Sequence, residues 1–157
     1  MVGVAQSLNY LILTVLIAMW IYRANNNVRA LGAANMDFTP GWSVGWYFIP
    51  IASLWKPYQA MKEIWKASAS PSSWSEQNVP SMLPWWWFFW IVSSWFGSVA
   101  FPLALRGETI DQLIAANIVG QLSEGMNIAA SLLLLAIVKR VHAMQSATAR
   151  GQLVSSS

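Results

Sequence analysis

The sequence contains no cysteine and only one histidine among its 157 residues. Without cysteine, the chain has no disulfides, no thiolate catalysis and no cysteine-ligated iron–sulfur cluster. Charge is also scarce, because Asp, Glu, Lys and Arg together make up 10% of the residues, against roughly 25% in an average soluble protein. A soluble fold of this size needs more polar surface than these residues supply, so the composition indicates a membrane protein.

Hydrophobic residues are abundant instead, at 56% of the chain, and eleven residues are tryptophan. Three runs with at most one charge have the length of about 20 residues that a helix needs to cross roughly 30 Å of hydrocarbon. They predict transmembrane helices over residues 3–22, 84–104 and 119–138. The first run is N-terminal, as in a signal peptide, but no basic segment precedes it and no small-residue cleavage site follows, which favours a retained span.

Basic residues are concentrated in two places along the chain. Five lie between the first and second predicted spans and three follow the third, whereas the loop around Arg106 has one base beside two acids. By the positive-inside rule, the long connection and the C-terminus are expected in the cytoplasm and the N-terminus outside. We expect one membrane domain over residues 1–145, with a Ser- and Pro-rich linker at 69–83, and a mobile cytoplasmic tail at 146–157.

The segment from residue 40 to residue 68 is apolar but carries several prolines and glycines. If residues 41–56 crossed the membrane, the basic residues of the long connection would be divided between its two sides. Beyond residue 50, apolar residues recur in steps of three and four, which predicts an amphipathic helix over 51–68. We therefore expect a shallow re-entrant segment over 40–50 and then an interfacial helix, with a four-span arrangement as the alternative.

Local signals predict where several helices begin and end. Gly32 is a typical residue to end a helix that continues from the first span. Thr39 followed by Pro40 predicts a helix start, because proline is favoured in the first helical turn. Thr109 is expected to cap the helix that contains the third span. Ser93 and Gly97, four residues apart, predict a close approach of the second span to another helix.

Two sets of residues are expected at the membrane surface. Lys56, Lys62 and Lys66 lie on the polar face of the predicted amphipathic helix, where we expect them to contact anionic lipid headgroups. Tryptophan favours the headgroup region, because its ring is apolar and carries one polar N–H. The tryptophans expected at this interface are Trp42, Trp46, Trp55, Trp65, Trp85, Trp86 and Trp87.

Polar residues also lie inside the predicted spans, where they are costly. Glu124 is the one ionisable residue well within a span. In the predicted topology, polar side chains of all three spans fall at its depth, and we expect a cluster of Glu124, Asn127, Gln121, Asn9, Ser94 and Ser98. The favoured interpretation is a set of hydrogen bonds that join the helices, and the other is an ion or proton site.

A resemblance to a known family appears in three stretches. "WIYRANNNVRALG", then "FTPGWSVGWYFIPIASLWKPYQAMKEIWKAS", then a Trp-rich span are similar to the bacterial integral-membrane family known as domain of unknown function 4328. The resemblance covers roughly residues 15–145. It implies a bacterial cytoplasmic membrane and no established biochemical activity.

The sequence offers no pattern of catalytic residues. It has no phosphate-binding glycine loop, no nucleophile near a base and no carboxylate pair with acid–base spacing, and His142 alone makes a poor metal site. We therefore expect no enzymatic activity, no cofactor, no metal and no nucleic-acid partner.

The predicted fold class is an all-α integral membrane protein with three transmembrane helices and an interfacial helix. We predict a non-catalytic accessory or scaffold subunit that packs against a larger membrane complex or against copies of itself, with membrane lipid as a further partner. The alternative is a small transporter or channel component that uses the polar cluster around Glu124.

Overall fold

A computed structural model of the chain describes the backbone of residues 2–155 and the side chains of residues 8–155. Within this range, every regular element is a helix. The α-helices are α1 (Val2–Ala30), α2 (Pro40–Gly45), α3 (Lys56–Ala69), α4 (Met82–Arg106) and α5 (Ile110–Ser155), and short 3₁₀ helices occupy Trp46–Phe48, Ala52–Leu54 and Pro71–Glu76.

Three of these helices are long and apolar enough to cross a membrane. They are Leu8–Ala30 of α1, Met82–Arg106 and Ile110–Ser155. Most of their large apolar side chains stay exposed within the chain, as expected for helices that are surrounded by lipid. The predicted all-α membrane class is confirmed, and the chain is a multi-pass membrane protein.

The chain divides into two compact units. The first comprises Met1–Val79 and Arg140–Ser157, and the second comprises Pro80–Lys139. The structure thus divides the region 1–145, which the sequence predicts as one membrane domain. The last part of α5 belongs to the first unit, because it forms hydrogen bonds with residues of α1 and α3. Hydrophobic periodicity does not report which helices share a core.

The first unit begins with α1, which ends at the predicted glycine. Gly32 has a φ of 104°, a left-handed conformation that side chains disfavour. The Gly32 amide donates to the Arg29 carbonyl and the Ala33 amide donates to the Val28 carbonyl, both at 3.0 Å. These two bonds form a Schellman motif. The turn directs the chain back along α1.

Helix α2 starts where Thr39 and Pro40 predict it. The Trp42 amide donates to Thr39 Oγ1 at 3.3 Å, and Pro40 occupies the first turn. After α2 the backbone is irregular, with two short 3₁₀ helices and a φ of 53° at Ile51. The amphipathic helix predicted over 51–68 therefore begins later than expected, at Lys56. Pro57 in its first turn explains this start, because proline favours the first helical positions.

Helix α3 buries its apolar side within the first unit. Met61, Ile64 and Trp65 are buried. Ala67 of α3 joins a core with Val28, Ala33, Met36 and Trp74. This corrects the expectation that lipid covers the apolar side of the helix. Periodicity shows that one face of a helix is apolar, but it does not show which apolar neighbour covers that face.

The linker and the tail are more ordered than the sequence indicates. Within the predicted linker 69–83, Pro71–Glu76 is a 3₁₀ helix, and Trp74 Nε1 donates to the Ala34 carbonyl at 2.8 Å. The residues predicted as a mobile tail are helical as far as Ser155, where the description ends. Gln152 Nε2 donates to the Leu31 carbonyl at 3.0 Å, which ties this stretch to the end of α1.

The same contacts decide between three and four spans. Glu63 of α3 accepts hydrogen bonds from the segment that directly follows α1, and Ser43 of α2 accepts one from Asn25 of α1. Both ends of the segment 40–68 therefore lie beside the same end of α1. A fourth crossing within this segment would separate these partners by the thickness of the membrane, so the three-span arrangement is the one observed.

Candidate functional site

The connection from α1 to α2, residues 31–39, is held by polar side chains of α1. Asn25 is fully buried, and its Nδ2 donates to the Phe38 carbonyl at 2.9 Å and to Ser43 Oγ at 2.8 Å. Arg29 Nε donates to Asn25 Oδ1 at 3.0 Å, and its terminal nitrogen donates to the carbonyls of Phe38 at 2.9 Å and Met36 at 3.3 Å. Side chains thus supply the hydrogen bonds that this irregular backbone lacks.

Glu63 of α3 holds the same connection from the other side. Its two carboxyl oxygens accept from the backbone N–H groups of Asp37 and Phe38, and its side chain is buried. Burial raises the pKa of Glu63 above its ordinary value, whereas the two backbone N–H donors and nearby Arg29 oppose this rise. Glu63 thus has a structural role, although the sequence indicates a solvated residue on the polar face.

Gln145 joins the end of α5 to α1 and α3 of the first unit. Its Nε2 donates to the Ala24 carbonyl at 3.1 Å and to Ser68 Oγ at 2.9 Å, and its Oε1 accepts from Asn27 Nδ2 at 3.2 Å. The side chain is buried, so these bonds are protected from water. They fix α1, α3 and the end of α5 in one block, at positions beyond the spans 3–22 and 119–138 that the sequence predicts.

A cleft of about 450 Å³ opens on this block. Lysines and tryptophans dominate its lining, which also includes two carboxyl groups. The lining residues are Asp37, Phe38, Trp42, Trp46, Lys56, Gln59, Lys62, Glu63, Lys66 and Trp74. The structure therefore brings the three lysines predicted for headgroup contact together in a single concave site, where the sequence indicates only a shared helix face.

Each lysine of the cleft is half-buried and rests on neutral groups. Lys56 Nζ lies 5.5 Å from the centre of the Phe38 ring and 5.6 Å from that of Trp46. Lys62 Nζ lies 5.6 Å from the centre of the Tyr58 ring, and Lys66 Nζ donates to the Ser75 carbonyl at 3.1 Å. These contacts position the ammonium groups without neutralising them.

The elements beside the cleft adjoin the place where the uncharged run of α1 ends. Gly41 and Val44 of α2 line a groove with residues 18–23 of α1, where the apolar span meets its first arginine. The irregular segment after α2 exposes large apolar side chains, with Phe48 72% and Ile51 73% exposed. An exposed apolar patch of this kind on a membrane protein is suited to entering the lipid interface.

The members of the predicted polar cluster around Glu124 have different surroundings within their own units. Glu124 and Asn9 are exposed. Ser94 and Ser98 donate to carbonyls of their own helix, at Trp90 and Trp95, and Gln121 donates to Asn117 on α5. Helical spacing placed these residues at similar depths, but it did not determine which side of each helix faces its neighbour.

The contact between α4 and α5 in the second unit uses Ser93 instead. Ser123 Oγ donates to the Ser93 carbonyl at 2.9 Å, and Ser93 Oγ donates to Asn127 Oδ1 at 3.3 Å. A side chain at Gly97 would meet Ser123 Oγ at 3.4 Å. Ser93 and Gly97 therefore form the close helix approach that their spacing predicts, and Asn127 is the one member of the predicted cluster that takes part in it.

The predicted interface tryptophans have two kinds of surroundings. Trp42, Trp55 and Trp85 are exposed and Trp46 is half-buried, as an interfacial position requires. By contrast, the protein buries Trp65, Trp86 and Trp87. The rings of Trp87 and Trp90 stack with centres 4.7 Å apart. His142 is exposed on α5.

Sequence reasoning missed the residues that hold the block together. Asn25, Arg29 and Gln145 lie in stretches that the sequence shows as polar and connective. One signal was available for Asn25, because it lies four residues after Ile21 and three before Val28, which are both buried. A polar residue on the apolar side of a helix is expected to be hydrogen-bonded in the interior.

A family model described as "Domain of unknown function (DUF4328)" matches residues 1–143 of the chain. No curated protein and no solved structure matches the chain.

Proposed function

The chain belongs to the DUF4328 family, and on that premise we propose that it is a non-catalytic accessory or scaffold subunit of a membrane complex. A row of polar side chains on α5 carries this proposal. Asn117, Gln121 and Glu124 follow one another at steps of four and three, which places them on one side of the helix. All three are exposed within the chain.

Lipid is an unfavourable neighbour for this row. Fifteen residues of α5 separate Glu124 from Lys139, or about 22 Å of helix. If Lys139 marks the end of the span, Glu124 lies inside a hydrocarbon layer roughly 30 Å thick. An ionisable or amide side chain at that depth normally faces protein or a water-filled cavity. The row therefore faces another membrane helix, which supplies hydrogen bonds and belongs to a partner subunit or a second copy.

The polar groups of the first unit support a non-catalytic role. The buried side chains of Asn25, Glu63 and Gln145 bond to backbone or to other structural side chains. Glu63 has both oxygens engaged by backbone N–H groups of the connection that it holds. These interactions suit a rigid platform that positions other molecules.

The proposal includes the bacterial inner membrane, with the N-terminus outside and the C-terminus in the cytoplasm. The distribution of basic residues supports this orientation. The hydrogen bonds from Gln145 and Gln152 to the end of α1 support a common side for the long connection and the C-terminus. The alternative role as a transporter component has less support, because Ser94, Ser98 and Gln121 bond within their own helices.

The mass of the complex in native nanodiscs tests this function. We expect the wild-type chain of 17.5 kDa to be found in a larger assembly, either with a stoichiometric partner or with copies of itself. Glu124→Leu removes the polar group that a partner helix bonds, and we expect it to lower the association constant by roughly three- to thirty-fold. Glu124→Gln keeps a donor and an acceptor and should assemble almost normally.

Leu122→Ala provides the control, because Leu122 is also exposed but lies two residues away, near the opposite side of α5. It should leave the assembly intact. A single-chain mass for the wild type would contradict the proposal. Unchanged or stronger association of Glu124→Leu would also contradict it, because that is the result expected for a carboxyl group that faces lipid.

A further inference from the structure

The cleft of the first unit suggests a ligand that the proposed partner surface on α5 does not involve. Three lysines and three tryptophans, all between residues 42 and 74, line this cleft of about 450 Å³. The tryptophan rings add apolar walls and indole N–H donors. A cavity with cationic groups on one wall and aromatic rings on another fits an anionic group that carries an organic substituent.

The charges of the cleft favour an anion. Lys56, Lys62 and Lys66 contribute three positive charges against the carboxyl groups of Asp37 and Glu63. Glu63 is buried and already accepts two backbone hydrogen bonds, so its charge is compensated locally. The ammonium groups rest on aromatic rings and on one backbone carbonyl, and they remain available as phosphate-binding point charges.

The location of the cleft identifies the source of the anion as the membrane. Lys56 directly follows the irregular segment 46–55, whose exposed large apolar residues are Phe48, Ile49, Ile51, Leu54 and Trp55. Helix α2 supplies Trp42 to the cleft. It lies beside residues 18–23 of α1, where the uncharged run of that helix ends. Apolar side chains that enter the interface next to a cationic recess are arranged to hold a lipid by its headgroup and its glycerol region.

We propose that this cleft is a specific site for the phosphate headgroup of an anionic phospholipid, bound by Lys56, Lys62 and Lys66 beside an interfacial anchor formed by Phe48 and Ile51. This binding differs from diffuse attraction to a charged surface, because the three cations line one open cleft. The proposal predicts that a defined number of lipid molecules bind saturably, in place of a general preference for negative membranes.

Native mass spectrometry of the full chain measures this lipid directly. The chain is titrated with phosphatidylglycerol or with phosphatidylcholine, and the occupancy of the first bound lipid gives an affinity for each. We expect tighter binding of phosphatidylglycerol. Replacing all three lysines of the cleft by glutamine should weaken it by up to roughly two orders of magnitude, since each lysine contributes about a factor of five near an anionic headgroup.

The matched control removes three cations elsewhere on the chain. Lys139, Arg140 and Arg150 are exposed on α5 and lie outside the cleft. Their triple replacement by glutamine lowers the net charge of +3 by the same amount, but it should change the affinity less than about threefold if the site is specific. Equal losses in the two triple variants would overturn the proposal in favour of diffuse attraction.

A second pair of measurements separates lipid from soluble phosphate. Phe48→Ser combined with Ile51→Ser should weaken phosphatidylglycerol binding about tenfold, because both side chains lose apolar contact with lipid. Glycerol phosphate, added at the same concentration as the lipid, should not displace it. Displacement at equal concentration would show a soluble ligand and overturn the membrane source. Thermal melting in neutral detergent verifies that each variant is folded. Weaker lipid binding that occurs only in variants that are unfolded would also overturn the proposal.

Discussion

Three successive asparagines near the end of α1 have different surroundings. Asn25 is buried and holds the connection to α2, Asn26 is exposed, and Asn27 donates to Gln145 of α5. Their side chains are chemically identical, so the differences arise only from the angle of about 100° between successive helical residues. A residue's contribution to this fold therefore depends on its direction, which composition does not reveal.

The asparagines provide a stability test at the residue scale. Asn25→Ala removes the buried donor to Ser43 Oγ, one of the two donors to the Phe38 carbonyl, and the acceptor of Arg29 Nε. We expect the free energy of unfolding to fall by about 1 to 3 kcal/mol. SDS-induced unfolding in mild detergent measures this change.

Asn26→Ala is the matched control, since the exposed side chain of Asn26 lies on the same turn. Its effect should stay within about 0.5 kcal/mol. Equal effects of the two substitutions would show that the asparagine network does not stabilise the block.

At the scale of elements, the structure depends on where helices stop as much as on where they form. The run from α1 to α3 contains a glycine turn, a threonine cap and two prolines at helix starts. These signals act through local backbone conformation, and each was readable in the sequence except for the start of α3. Periodicity alone extended that helix back to residue 51, because it ignores Pro57 and the positive φ of Ile51.

Gly32 tests the importance of the turn after α1. With a φ of 104°, an alanine there adopts a strained backbone although no atom lies within 4 Å of its Cβ. We expect Gly32→Ala to lower the free energy of unfolding by about 1 to 2 kcal/mol. Gly41→Ala is the control, because Gly41 is helical and also has open space around it.

The control substitution should be neutral or stabilise by about 0.4 to 1 kcal/mol, since alanine restricts the unfolded chain. Unfolding curves of both variants under the same conditions give the comparison. A neutral Gly32→Ala variant would mean that the turn relaxes to another conformation without cost.

At the scale of the whole molecule, the extramembrane block depends on contacts between distant parts of the chain. Gln145 bonds residues of α1 and α3 that lie more than seventy positions away in sequence. The end of α5 is thus part of the block, and its removal would take away the donor to the Ala24 carbonyl and to Ser68 Oγ. The proposed orientation places this block in the cytoplasm.

The absence of native cysteine makes this orientation directly testable. Ser72 and Glu108 are both exposed, and single cysteines at these positions report on the block and on the loop between α4 and α5. In intact cells, we expect an impermeant maleimide to label Glu108→Cys and not Ser72→Cys, because the membrane shields the cytoplasmic side.

Cell lysis is the control, since both cysteines should then react. The opposite labelling pattern in intact cells would reverse the topology. Labelling of both positions in intact cells would contradict the crossing of α4 between them.

The sequence by itself determined the class of this protein and located three candidate spans. Low charge and three long apolar runs are sufficient, because the thickness of hydrocarbon fixes the length that a spanning helix needs. Short-range signals at Gly32, Thr39 and Thr109 also predicted helix ends correctly, since a cap or a left-handed turn involves only neighbouring residues.

Only the tertiary structure decided what each helix face contacts. It placed Glu63 in the interior, left Glu124 exposed, and gathered Lys56, Lys62 and Lys66 around one cleft. The physical reason is that a 3.6-residue period specifies which residues share a side of a helix, but not what lies opposite that side. Lipid, protein and a partner helix all satisfy the same apolar pattern, and only the packing of distant segments distinguishes them.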